Sequence, residues 1–425
     1  MVEQPEFGRR VREIRVARGL SQSDIAGNGT SPSYVSLVES GNRTPSPKVV
    51  RALADRLGVS VDELSSPAPQ ELQRLHRVEL VGRLISARSR QSTGDLAFAR
   101  DELLDVIRAA AAARMDEIQW EARWELAVTL GRLGEADARE EALRQLLSDP
   151  LTDSSPLLRA RVAVETADVL RHAGRLSESV LLSEEALRSV PDDGTAVPER
   201  VQAQVSLLSG WLASGEWERG AGLREELLSS ADALPAGQLQ ATALWVAAEH
   251  HYAAGEPEQA LAVMDRALSR ADPAADMATR LRMLWAAALL HLSAGDEKTA
   301  GDLAERLAQA VALLGTSADA VRVATLRTLA ALRAGTVDRA LEHAGEVVRG
   351  RAKLPPLDRA GGAVAAARAQ RTAGHTADAE AEYRTAAALY EAAGAYRSAS
   401  AVWRELSVPA DAPATSADHP AIVTP

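Results

Sequence analysis

Apolar residues recur at helical spacing along almost the whole chain, and the strict alternation that marks a strand is absent. Near the start, Phe7, Val11 and Ile14 stand at i, i+4 and i+7 and predict a first helix that ends at Gly19. Ser21, with Asp24 three residues on, predicts the cap of a second helix, which Gly27 and Gly29 break. A third begins at Ser31, with Pro32 at its first position, and runs through Val35, Val38 and Glu39 to Gly41. Ser46 and Pro47, ahead of Val50, Leu53 and Leu57, predict a fourth, and Ser60 with Glu63 a short fifth. Residues 67–70 sit in an aperiodic, proline-containing break and read as a linker.

From Leu72 onward, helical patterns alternate with short glycine-containing breaks, and the breaks are periodic. Gly94, Gly134, Gly174, Gly215, Gly255, Gly295, Gly335 and Gly374 follow one another at intervals of 40, 40, 41, 40, 40, 40 and 39 residues. A fixed period of this size predicts paired helices stacked into a solenoid of about eight units. Small side chains stand seven residues before the glycines (Ala87, Ala248, Ala288) and five after (Ala99, Ser179, Ala260), where paired helices approach closely. Arg139 departs from that pattern. The last segment, AYRSASAVWREL, closes the stack with Val402, Trp403 and Leu406. The expected class is all-α: a five-helix head over residues 1–66, an α-solenoid over 71–407, and a Pro-, Ala-, Asp- and Thr-rich tail, 408–425, expected to be disordered.

The pair of helices predicted around Gln22–Gly41 has the form that places its second member in a DNA major groove. Residues 7–64, carrying FGRRVREIRVARGLSQ, SYVSLVESGNRTPSPKVV and LADRLGVSVDEL, resemble the Cro/repressor-like (Xre) helix-turn-helix family nearly end to end. Between Gln22 and Ser31 the chain is one residue shorter than that family's usual pattern. The resemblance implies a structural pair, Arg15 with Glu39, inside the domain. It implies that Pro32, Ser33 and Leu37 read base edges with Tyr34 and Ser36 beside them, and that Gln22, Asn42 and Arg43 contact phosphates.

The array resembles the tetratricopeptide repeat, most clearly in SGEWERG, AAGEPEQALAVMDRAL and TAGHTADAEAEYRTA. That resemblance implies that the first helix of each unit lines a concave face. Ten residues before the turn glycine stand Trp124, Trp245 and Trp285, and neighbouring inward positions hold Arg161, Asp168, Gln202, Glu249, Tyr252, Arg282, Arg322 and Arg368. Aromatic platforms interleaved with charges suit a peptide or a mid-sized ligand. Packing between units is the competing reading for each tryptophan.

Charge sharpens the division. The net charge is −11, yet residues 7–56 hold nine Lys/Arg against four Asp/Glu, so the basic surface is confined to one end. The absence of cysteine excludes a disulfide scaffold and a cysteine-bearing zinc site. No run of 18 apolar residues and no leader-like segment occurs, which predicts a cytoplasmic protein with no membrane partner. His250 and His251 are adjacent, hence about 100° apart on a helix, and do not form a metal pair. With no phosphate loop, dinucleotide fingerprint or nucleophile elbow, neither an enzyme nor a cofactor is expected. A repressor-like head on a tetratricopeptide array looks like the ligand-responsive transcription factors of bacteria. That likeness implies a homodimer on double-stranded DNA with a peptide or small-molecule effector. The alternative is a protein-interaction scaffold whose array clamps a partner while the head has an autoregulatory part.

Overall fold

The computed structural model describes residues 4–27, 29–65, 69–271 and 276–408. The expected linker lies largely outside these, and so does the tail beyond Val408. Described residues form helices and no strand, with one isolated bridge between Gly27 and Thr30. They divide into two compact units, Met1–Thr129 and Leu130–Pro425. This grouping places the start of the array with the head, unlike the division at 66–71 expected from the sequence.

In the first unit, the head comprises α1 (Glu6–Ala17), α2 (Pro32–Glu39), α3 (Pro47–Leu57) and α4 (Val61–Ser65). Its core draws on Phe7, Val11, Ile14, Ile25, Val35, Val38, Val50, Leu53, Leu57 and Leu64, all within the head. The helix expected after Ser21 is a correction: Gln22–Asp24 forms a hydrogen-bonded turn. Its capping box is present, since Asp24 accepts from the Ser21 amide at 2.7 Å and Ser21 Oγ accepts from the Asp24 amide at 3.2 Å. The chain then closes at once, because Gly27 (φ +137°) and Thr30 exchange backbone hydrogen bonds, leaving no length for a helical turn. Gly8 lets α1 and α2 cross in near contact: a Cβ there would lie 1.9 Å from the Val38 carbonyl oxygen.

The array begins with α5 (Pro69–Ser92), α6 (Leu96–Ala112) and α7 (Asp116–Leu133), followed by α8 (Ala136–Leu147) and the short α9 (Pro150–Ser154). Then come α10 (Pro156–His172), α11 (Leu176–Ser189), α12 (Val197–Ser214), α13 (Ala221–Asp232), α14 (Gln238–Ala253) and α15 (Pro257–Arg270). It ends with α16 (Met277–Ser293), α17 (Glu297–Leu314), α18 (Ser317–Arg333), α19 (Val337–Gly350), α20 (Pro356–Thr372), α21 (Thr376–Ala393) and α22 (Tyr396–Ser407). Each of the eight periodic glycines follows the first helix of a pair, with φ between +68° and +87°. L-residues with a Cβ avoid that region, which explains why glycine recurs there.

The small registers are buried where the paired helices meet, from Ala87 and Ala99 to Ala367 and Ala379. The two bulky exceptions are compensated. Leu208 packs against Gly220, where a Cβ would lie 2.7 Å from a Leu208 methyl, and Arg139 lies over Gly131 at 3.2 Å from where a Cβ would stand. From there Arg139 reaches Glu165 on α10 at 2.5 Å, so the departure from the repeat pattern ties two neighbouring repeats together.

The second unit winds back on itself. Leu176 and Ala213, beside the turns at Gly174 and Gly215, share an apolar cluster with Ala393 and Ala395 between α21 and α22. Arg397 adds an ion pair to Glu218 at 2.7 Å and stacks over Trp217 at 4.4 Å.

Candidate nucleic-acid interface and array interior

Helix α2 is placed by its ends. Ser31, extended at φ −89° and ψ 160°, accepts the Tyr34 amide at 3.1 Å, and Pro32 fills the first position. At the other end Gly41, at φ +76°, donates to Val38, and Asn42 donates to Leu37 at 2.9 Å. Val35, Val38 and Glu39 face the core, which leaves Pro32, Ser33, Ser36 and Leu37 together on the open face. Leu37 is 47% exposed although nothing polar compensates it there, a costly placement for packing and a useful one against a thymine methyl. Tyr34 is half-buried with the Arg43 guanidinium 5.8 Å from its ring, and Asn42 and Arg43 stand exposed after the helix.

The helix is pinned from behind. Arg15 donates to both oxygens of buried Glu39, at 2.5 and 3.0 Å, and to the Leu20 carbonyl at 2.8 Å. Burial pushes the Glu39 carboxyl up. Hydrogen bonds from Arg15 and Gln22, with the nearby charges of Arg15 and Arg12, outweigh that and leave it below the usual range. Gln22 corrects an expectation, because its amide donates to Glu39 at 2.8 Å and so is committed inside the domain rather than held out toward a phosphate. Arg18 and Arg56 stay exposed while donating to the carbonyls of Gly58 and Ala26. The exposed basic groups of the head are Arg9, Arg12, Arg18, Arg43, Lys48, Arg51 and Arg56.

The tryptophans do not form an open platform. Trp245 is fully buried and Trp285 nearly so, both inside the largest apolar cluster, because the alanines around them let α14 and α16 close over the rings. The Trp245 indole donates to Glu249 at 3.3 Å, and burial pushes this carboxyl up to about 8. Trp124, in the first unit, is half-buried and stacks on Trp120 with centroids 6.0 Å apart. Arg161 lies exposed on α10, and Gln202 and Tyr252 are half-buried.

A different set converges in the second unit. Asp168 keeps 36% of its side chain open, yet desolvation opposes the charge on its carboxyl. It accepts from Arg171 at 2.6 Å and lies 3.3 Å from His172 Nδ1. Burial opposes its ionisation, but His172, Arg171 and Arg139 hold it well below the usual carboxylate range. Arg282, on α16, is pushed down to about 10 by desolvation first and then by the like charges of Arg171 and Arg322, with Asp168 and Asp358 opposing. Arg322 itself reaches Asp319 at 2.8 Å and Asp358 at 2.7 Å. Helices α10, α16, α18 and α20 therefore turn charged groups toward one another. Arg368 stands apart from that group, bound to Glu405 at 2.8 Å. Arg171, His172 and Asp358 were not foreseen. Arg171 stands three residues before its turn glycine, the register that supplied Tyr252, and was open to discovery on that ground.

Among the described residues no group of three or more His, Asp or Glu could hold a metal ion, and no helix is long and apolar enough to cross a membrane.

Residues 6–66 match the model of a helix-turn-helix domain family. The head is also 40% identical over 62 residues to an uncharacterized HTH-type transcriptional regulator, YazB, of Bacillus subtilis (strain 168), covering 14% of this chain and 90% of that protein. The chain belongs to the helix-turn-helix transcriptional regulators. Across the regulator's whole length the fold is similar to that of a Rap protein solved with Competence and Sporulation Factor, at a TM-score of 0.50 and 13% identity, covering 94% of this chain and 96% of that one. The apo quorum sensor NprR from B. thuringiensis aligns at a TM-score of 0.47 and 12% identity, over 84% and 92% of the two chains. At 13% identity the likeness to the Rap protein is one of fold.

Proposed function

We propose that the regulator reads DNA as a dimer through Pro32, Ser33, Ser36 and Leu37, flanked by Tyr34, with Asn42 and Arg43 on phosphates, and that its array senses a peptide or small molecule. The observation that carries the reading is the open face of α2, held rigid from behind by the Arg15–Glu39 fork. Residues 1–66 serve as the reading head and the array over 71–407 as the sensing body, working in the cytoplasm without catalysis. The ligand's place is the charged cluster of Asp168, Arg282 and Arg322, backed by buried Arg171, where desolvated charges strengthen any polar contact. Arg397–Glu218 is an exposed pair and contributes little, so the closure rests on the apolar cluster of Leu176, Ala213, Ala393 and Ala395, and a ligand that prefers one degree of closure must outweigh that cluster. A coupling of about 1–3 kcal/mol changes operator affinity several-fold to a hundredfold.

Calorimetry of the full chain against fractionated cell extract, with Arg282→Gln as the comparison, tests the sensing part. A fraction that binds the wild type and loses affinity for the variant supports it. Equal binding by both places the ligand elsewhere, and absence of binding by every fraction removes it.

A further inference from the structure

Helix α5 has two apolar faces. Leu80, Leu84, Ala87 and Gln91 are buried, the last donating to Thr129 at 2.7 Å. On the opposite side Leu75, Val78 and Ile85 are 58%, 63% and 60% exposed. Gly82 completes that stripe, and nothing lies within 4 Å of where its Cβ would stand, so packing within the chain does not demand a glycine there. The first helix of a stacked array is expected to present a polar outer face, because no earlier unit covers it. Three large aliphatic groups in a row depart from that rule and mark an interaction surface.

The spacing of residues 75, 78, 82 and 85 is three, four, three, the a/d seam of a two-stranded coiled coil. From this we infer that the outer face of α5 pairs with the same face of a second copy of this chain, in parallel and in register. A 3-4-3 stripe is complementary to itself about a two-fold axis, and Gly82 at the central a position allows the backbones to approach. With Leu75 at a, Arg74 falls at g and Glu79 at the following e, so each copy sets a cation against the partner copy's carboxylate in the parallel arrangement. In the antiparallel arrangement g faces g and e faces e, so Arg74 would stand near Arg88 of the other copy and Glu79 near its own equivalent, like charge against like. The helix follows the head directly in the chain, so the seam would bring two reading heads together. A seam of about three turns falls short of the roughly 1,200 Å² of a stable complex, so pairing is concentration-dependent and is completed on DNA.

The inference rests on the dimeric reading above and locates its seam. The chain contains no cysteine, so Gly82→Cys supplies a single thiol. Mild oxidation of the full-length Gly82→Cys protein should give a disulfide-linked dimer, reversible by reductant, whereas Thr93→Cys, beyond the stripe, should not. Val78→Glu with Ile85→Glu, both exposed, should keep the wild-type circular dichroism and melting curve, sediment as a monomer where the wild type dimerises, and bind DNA from upstream of its own gene at least tenfold more weakly. A wild-type dimer that survives the double substitution and gives no Gly82→Cys cross-link overturns the α5 seam but leaves a dimeric regulator standing. A chain that is monomeric both free and on that DNA overturns both.

Discussion

The head and the array are built from the same material, amphipathic helices with charged outer positions, and treat their polar groups in opposite ways. In the head, one buried ion pair, Arg15–Glu39, braces a helix whose opposite face is left bare. In the array, alanines at the crossing points draw helices so close that Trp245, Glu249 and His250 vanish into the core, and the buried and half-buried charges of Arg171, Asp168, Arg322 and Asp358 are paired with one another. A small domain spends its few polar contacts on orientation. A long stack spends them on closure.

If the brace matters as this contrast says, Arg15→Ala is the most damaging single change. It strands a buried carboxylate, at a cost of about 3–5 kcal/mol, most of the stability of a domain this small. A melt of the variant should show the head unfolding separately, ahead of the array. Replacing both partners, Arg15→Met with Glu39→Leu, should recover much of the loss, since no charge is then left buried.

The array's buried groups should announce themselves through pH. Glu249 is raised from an ordinary 4.5 to about 8, so its protonated form is favoured in the folded state. Its contribution is fully present below pH 4.5, falls as the unfolded chain ionises between 4.5 and about 8, and is flat above. His250, lowered by desolvation from 6.5 to about 4, works the other way, losing stability as pH falls from 6.5 to about 4. From pH 6.5 to 8 His250 no longer titrates, while Glu249 contributes and Glu165, whose carboxyl burial also raises, acts in the same direction, so urea midpoints of the array should decline across that interval. Glu249→Gln should make the decline shallower and stabilise the array at pH 8 by a few kcal/mol. An unchanged slope in the variant would break this side of the contrast.

A smaller effect tests the equivalence of the repeats. Gly255→Ala meets no neighbouring atom, so only its φ of +81° resists, at about 1–2 kcal/mol. Thermal unfolding should report a similar loss for Gly374→Ala, which has the same open surroundings and a φ of +83°.

The contrast also explains what could be read beforehand. The Ser31 cap, the Pro32 start and the periodic glycines are local devices, and local spacing revealed them. The turn after Ser21 was misjudged because the bridge from Gly27 to Thr30 consumes the residues a helix would need. Trp245 and Trp285 share a register, but register does not report depth, and the depth came from how far their alanine neighbours let the helices close. The meeting of Asp168, Arg282, Arg322 and Asp358 depends on how the second unit winds, which no single repeat encodes. The second apolar stripe on α5 was visible in the spacing of Leu75, Val78 and Ile85 but became informative only with the opposite face known to be buried.

The central claim is that the open face of α2 distinguishes one DNA sequence from another. Fluorescence anisotropy with labelled DNA from upstream of the regulator's own gene, at two salt concentrations, measures this directly. The account predicts that Ser33→Ala with Leu37→Ala abolishes the preference for that DNA over a scrambled duplex without altering the melting curve. It predicts that Arg43→Ala weakens both equally and lowers the salt slope by about one. An unchanged preference in the Ser33 and Leu37 double variant would contradict it.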